Sequence, residues 1–205
     1  MEKKRRRRLA LTLGTVLALG TAAGTIWVSN AASARAEVEV LIGPDAIKCQ
    51  RPQDATVFKY EFGSSDEISI PVPGVRLNDG LDCTFSFIVT NTSDAEVSLK
   101  GLKIDMMGAN AGGAHMPRLM HNNIERITNE SADASFRLNQ SLNAGDTVQI
   151  SAVIERIPGC MTSDVATITS QTPEVKISAY GLGGTIAPQG PAFAVVGTPD
   201  STCDT

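Results

Sequence analysis

Hydrophobic side chains recur at every second residue through most of this chain, in short runs broken by glycine, proline, asparagine and aspartate. Val38, Val40 and Ile42 alternate with Glu37, Glu39 and Leu41, and Cys83, Phe85, Phe87 and Val89 share one parity. Val148, Ile150, Ala152 and Ile154 do the same behind the turn Asn143-Ala144-Gly145-Asp146, as do Val175, Ile177 and Ala179 behind Pro173. A period of two puts successive side chains on opposite faces of an extended strand, so each run buries one face and wets the other. Weaker runs join them. Phe58, Tyr60 and Phe62 form one, and Ile68 and Ile70 another that Pro71 and Pro73 end. Val97 and Leu99 continue through a bulge at Gly101 to Leu102 and Ile104, Phe136 and Leu138 follow, and Ala192 to Val196 supply an edge strand. Asn122 to Thr128 reads as a short helix or one more strand. No sustained helical period follows residue 36. The expectation is an all-β fold, an antiparallel sandwich of about eight strands.

Residues 1–36 are of another kind. Lys3, Lys4 and Arg5 to Arg8 precede a stretch, Leu9 to Asn30, without a charged residue, and Ala34-Arg35-Ala36 follows. A basic start, an apolar run and small residues at −3 and −1 make a secretory signal, cut after Ala36 or, through Ala32-Ser33-Ala34, two residues earlier. The arginine run also permits the twin-arginine route. An uncleaved anchor is the competing reading, since about 20 apolar residues span a bilayer; the chain would then meet the membrane only through residues 9–30. Both readings place residues 37–205 outside the cytoplasm, in the medium or on the cell surface. Residues 37–205 hold 11 basic and 21 acidic residues, a net charge of −10. That balance argues against nucleic-acid binding, which relies on neutralising phosphates. The division expected is 1–36 signal peptide or anchor helix, 37–197 β-domain with an irregular insertion near 106–123, and 198–205 C-terminal tail.

All four cysteines, Cys49, Cys83, Cys160 and Cys203, lie in the exported part. An even number in an oxidising compartment implies two disulfides, with three possible pairings; the sequential one, Cys49 with Cys83 and Cys160 with Cys203, is favoured because it ties down the tail. None of the spacings is C-x-x-C, so a thioredoxin-like or zinc-ribbon site has no support.

The segment Phe87-Ile88-Val89-Thr90-Asn91-Thr92-Ser93-Asp94-Ala95-Glu96-Val97, with Leu142-Asn143-Ala144-Gly145-Asp146-Thr147-Val148, resembles the immunoglobulin-like modules of bacterial exported and surface proteins. The resemblance covers about 60 residues and two turns. It implies an immunoglobulin-like β-sandwich with an adhesive, spacing or assembly role, and a protein or cell-envelope partner. It transfers no catalytic residue.

The insertion holds the unusual chemistry: Met106, Met107, His115, Met116, Met120 and His121 among several glycines. Thioether and imidazole ligands suit Cu(I), so His115, Met116, Met120 and His121 are a candidate copper set, with copper as the one cofactor considered. Asn78, Asp79 and Asp82 could offer oxygens to Ca²⁺, although Asn-Asp-Gly is first a turn. Asn91-Thr92-Ser93 and Asn129-Glu130-Ser131 match glycosylation acceptors. No nucleophile elbow, zinc-protease helix or P-loop occurs. The expected function is therefore a non-enzymatic exported or surface protein with an interaction or structural role. An extracytoplasmic copper-binding protein is the alternative, and a carbohydrate-active enzyme built on paired carboxylates a more distant one.

Overall fold

The computed structural model describes residues 24–61, 69–111, 113–157, 167–169, 173–188 and 193–201. A helix, α1, covers residues 24–36 and runs directly into β1 (Val38–Leu41). The strands that follow are β2 (Ile47–Cys49), β3 (Ala55–Glu61), β4 (Ser69–Arg76), β5 (Asp82–Asn91) and β6 (Val97–Ile104). Three very short ones, β7 (Ala114–His115), β8 (Arg118–Leu119) and β9 (Ile124–Glu125), occupy the insertion. The chain continues with β10 (Ala134–Leu142), β11 (Thr147–Arg156), β12 (Thr167–Thr169), β13 (Glu174–Ala179), β14 (Leu182–Ile186) and β15 (Ala194–Val196). The expected eight strands become fifteen among the described residues, because two- and three-residue strands are too short to show a period.

Three sheets result. A seven-stranded sheet runs β1-β5-β11-β8-β9, with β2 also on β5 and β7 on β11; a four-stranded sheet runs β10-β6-β13-β14; a second runs β12-β15-β4-β3. The ladders are antiparallel except β15 on β4. The first two sheets turn their inner faces to one hydrophobic cluster. Phe85, Phe87, Val89, Ile150 and Ile154 enter it from one side, and Leu99, Leu102, Phe136, Val175 and Ile177 from the other. Val75 and Val195 of the third sheet, with Leu77 and Phe193 beside the ends of its strands, close it, with the Phe85 and Phe193 rings 5.0 Å apart. Each large apolar side chain buried there contributes about 1.5–3 kcal/mol.

Two local features set the registers. Lys100 has no partner in either ladder of β6: Leu99 faces Gln140 and Ile177, and Gly101 faces Arg137 and Lys176. This is the bulge expected at Gly101. It moves the buried parity from Val97 and Leu99 to Leu102 and Ile104, so both halves of β6 face the core. The prolines, by contrast, do not end a strand. Pro71 and Pro73 lie inside β4, opposite Lys59 and Val57. Neither proline has an N–H to exchange, so both occupy non-bonded pairs with β3 and point their nitrogens to the other edge. That edge is joined by β15 only from Gly74 onward. The stretch ending at Val196 is accordingly no edge strand, for β15 lies between β12 and β4. Its approach needs Gly74, where a Cβ would stand 2.9 Å from the Ala194 carbonyl oxygen.

Cys49 and Cys83 are cross-strand neighbours on β2 and β5 and form a disulfide closing 34 residues of chain. The bridge fits an oxidising compartment. Cys160 and Cys203 lie outside the described residues, as do the basic start, Phe62, Ile68 and Ala192.

Candidate functional site

Among the connections that carry the chain between the seven-stranded sheet and the sheet β10-β6-β13-β14, two are neighbouring turns. One joins β5 to β6 and the other β10 to β11. Asn91, fully buried, ties them together: its Nδ2 donates to the carbonyls of Ala95, Leu142 and Asn143 at 2.7, 3.0 and 3.0 Å. Its Oδ1 accepts from the Ser93 amide and hydroxyl, and its backbone exchanges hydrogen bonds with Asp146 and Gly145. This Asn91 is structural, and its amide has no room for a glycan. Asn129, in the second acceptor motif named above, is exposed, as is Asn139 in a third match, Asn139-Gln140-Ser141.

Beyond that clasp β10 and β11 diverge into different sheets, and a groove of about 340 Å³ lies between them. Its floor is apolar: Leu119, Ile124, Leu138, Val148 and Ile150. The rim carries Arg137, His121 and the side-chain amides of Asn122, Asn139, Gln140 and Gln149, and no carboxylate. β10 is itself irregular here, since Leu138 and Asn139 fall in the break of its register with β6. Opposite, a 3₁₀ turn over His121–Asn123 forms the lip. Asn122 and Asn123 both adopt left-handed backbone, with φ of 58° and 47°, a conformation asparagine tolerates better than most residues. The Met120 amide anchors the turn on the Ser151 carbonyl at 2.8 Å.

The candidate copper set is divided by this geometry. His115 and Met116 are consecutive on an extended stretch, so they face opposite ways. Met116 is wholly buried in the core beside Met107, whose carbonyl accepts the Met116 amide at 2.8 Å. Met120 and His121 are exposed, and the Met120 sulfur accepts from the Thr84 hydroxyl on the outer face of β5. His115 pairs across the ladder with Glu155 and stands between a cation and an anion. Its Nδ1 is 3.3 Å from Arg126 Nη1 and its Nε2 3.8 Å from the Glu155 carboxylate. An arginine can only donate, so Nδ1 accepts and the ring proton sits on Nε2. Burial, reinforced by Arg126 and opposed by Glu155, holds the imidazole below its usual range. The same guanidinium also donates to the Met116 and Thr128 carbonyls, bracing the insertion. Among the described residues, no three His, Cys, Asp or Glu side chains are arranged to hold a metal ion.

The Asn78–Asp82 turn is engaged internally. Asn78 donates to the buried Asp54, which also pairs with Arg51; Asp79 pairs with Arg156; Asp82 accepts from Gln50. Of the rim residues, His121 is the one that belongs to the candidate copper set, and Asn139 and Gln140 fall in an Asn-x-Ser acceptor motif.

No family model and no curated protein matches the chain. Among solved structures it is similar to the X-ray structure of Northeast Structural Genomics Consortium target SoR45, at 8% identity over 76% of this chain and 89% of that one. The TM-score is 0.34, too low to carry an argument about fold or function.

Proposed function

We propose that this is an exported or cell-surface, non-enzymatic β-sandwich of the immunoglobulin-like kind, serving an interaction role. The observation that carries the reading is the groove between β10 and β11. An apolar floor with a rim of amides, an imidazole and a guanidinium suits the hydroxyl, amide and anionic groups of a cell-envelope polymer or peptide. It lacks the two carboxylates that glycoside hydrolysis requires. The immunoglobulin-like assignment is supported by one core shared between two sheets and by the paired turns between them. It departs from antibody domains in its disulfide, which lies within one sheet.

Cosedimentation of the purified protein with cell envelopes from the producing organism tests the reading. The wild type should pellet with them, and Arg137→Ala combined with Gln140→Ala should weaken binding about tenfold, the effect of losing one or two hydrogen bonds. Equal binding by the two proteins, or none by the wild type, removes the groove as an interaction site.

A further inference from the structure

The residues just before β1 match a signal-peptide end, yet the folded domain uses them. Ala31 is fully buried and Ala34 is only 4% exposed, and Ala34 belongs to the main hydrophobic cluster. The two are three residues apart, hence on one face of α1. On the last turn of the helix, Arg35 Nη1 donates to the Leu182 carbonyl on edge strand β14 at 2.9 Å. There it also opposes the negative end of the helix dipole. The contact is close. A Cβ on Gly184 would stand 3.0 Å from Arg35 Cδ and Nε, so this glycine leaves the space the arginine fills. The Glu37 amide extends the helical pattern to the Ser33 carbonyl, and the Glu37 carbonyl accepts from the Thr92 amide in the β5–β6 turn. From Ala31 to Thr92 the helix, first strand and inter-sheet turn are therefore one packed unit.

We infer that α1 is a permanent element of the mature protein and that Ala34-Arg35-Ala36 is not its processing site. A cut after Ala36 would take Ala34 from the core, the guanidinium from the Leu182 carbonyl, and cover from a sheet edge. A signal-peptide end discarded on export needs no such fit to the domain. The export segment is then either cut upstream of α1 or retained whole. This inference is independent of the groove.

The test is intact-mass measurement and N-terminal sequencing of the full-length chain, expressed in an export-competent bacterium and recovered from outside the cytoplasm. An N-terminus before Ala31 is expected; one at Arg35 or Glu37 overturns the inference. Failure to recover any protein outside the cytoplasm would sink the export reading instead. A second measurement then decides on whatever chain is recovered: Ala34→Asp, which buries a charge, should lower the Tm by about 5 °C or more. Should that variant not accumulate, Arg35→Ala takes its place, with a smaller fall in Tm expected. An unchanged Tm overturns the inference.

Discussion

Replacing Asn91 by alanine tests whether one amide holds the two inter-sheet turns together. The side chain is fully buried and serves five partner groups. Its loss takes the side-chain donor from the buried Leu142 carbonyl and the side-chain acceptor from the buried Ser93 amide. The Ala95 and Asn143 carbonyls are nearer solvent and the Ser93 hydroxyl keeps Ala95, so they count for less. Two buried groups stripped of these partners, at about 1–3 kcal/mol each, give a loss of about 3–5 kcal/mol with the small cavity included. In a domain of this size that is a fall in Tm of about 10 °C or more. Urea unfolding followed by far-UV circular dichroism should show a lower midpoint with an unchanged slope. Asn91→Asp sharpens the test. A carboxylate facing three carbonyls has a raised pKa in the folded state, so the variant should regain stability as the pH falls and its acid becomes protonated. A cost below about 1 kcal/mol for Asn91→Ala, or an Asn91→Asp deficit that does not vary with pH, would refute the clasp.

Two further outcomes follow from the insertion. Folding holds the His115 imidazole below its usual value near 6.5, mainly through burial, so the unfolded chain binds the proton more readily. Stability should therefore be full above that value and decline as the pH drops through it. In paired urea titrations at pH 5–8, His115→Gln should show the shallower decline; parallel curves refute the assignment. Gly108 packs against the 131–133 backbone so closely that a Cβ would overlap the Ser131 carbonyl oxygen and stand 2.7 Å from the Ala132 carbonyl carbon. Gly108→Ala should cost about 2–3 kcal/mol. Gly43→Ala, where nothing lies within 4 Å, serves as the control and should be near neutral in thermal unfolding.

Legibility followed the pleat. Wherever a strand buries one face for five residues or more, as in β5, β11 and β13, alternation named the inward residues correctly. Gly101 betrayed its bulge because the apolar parity changes across it. The prolines misled because a proline's missing donor matters only on the side of the ladder that is bonded, and sequence does not say which side that is. The position of β15 was hidden for a related reason. Inserting a strand between β12 and β4 depends on a contact at Gly74, about 120 residues away in the chain.

The candidate site was less legible than the fold, and its two halves show why. Ligand type suggested grouping His115, Met116, Met120 and His121, but neighbours on an extended chain are sent to opposite faces. Met116 went to the core, and His115 to a place between Arg126 and Glu155. Closeness in sequence thus counted against a shared site. The groove has the opposite character: its walls are ordinary strand residues such as Arg137, Gln140 and Gln149, unremarkable until two sheets part between them. What positions them is Asn91, which lies outside the groove, and the register break at Leu138 and Asn139, which sets the spacing of Arg137 and Gln140 along the rim. A binding surface of this kind is a property of how strands diverge. For that reason the turn residues that set the divergence are better guides to it than any cluster of reactive side chains. It follows that Asn91→Ala should loosen the groove as well as the fold, and envelope binding should fall in that variant even under conditions where it remains fully folded.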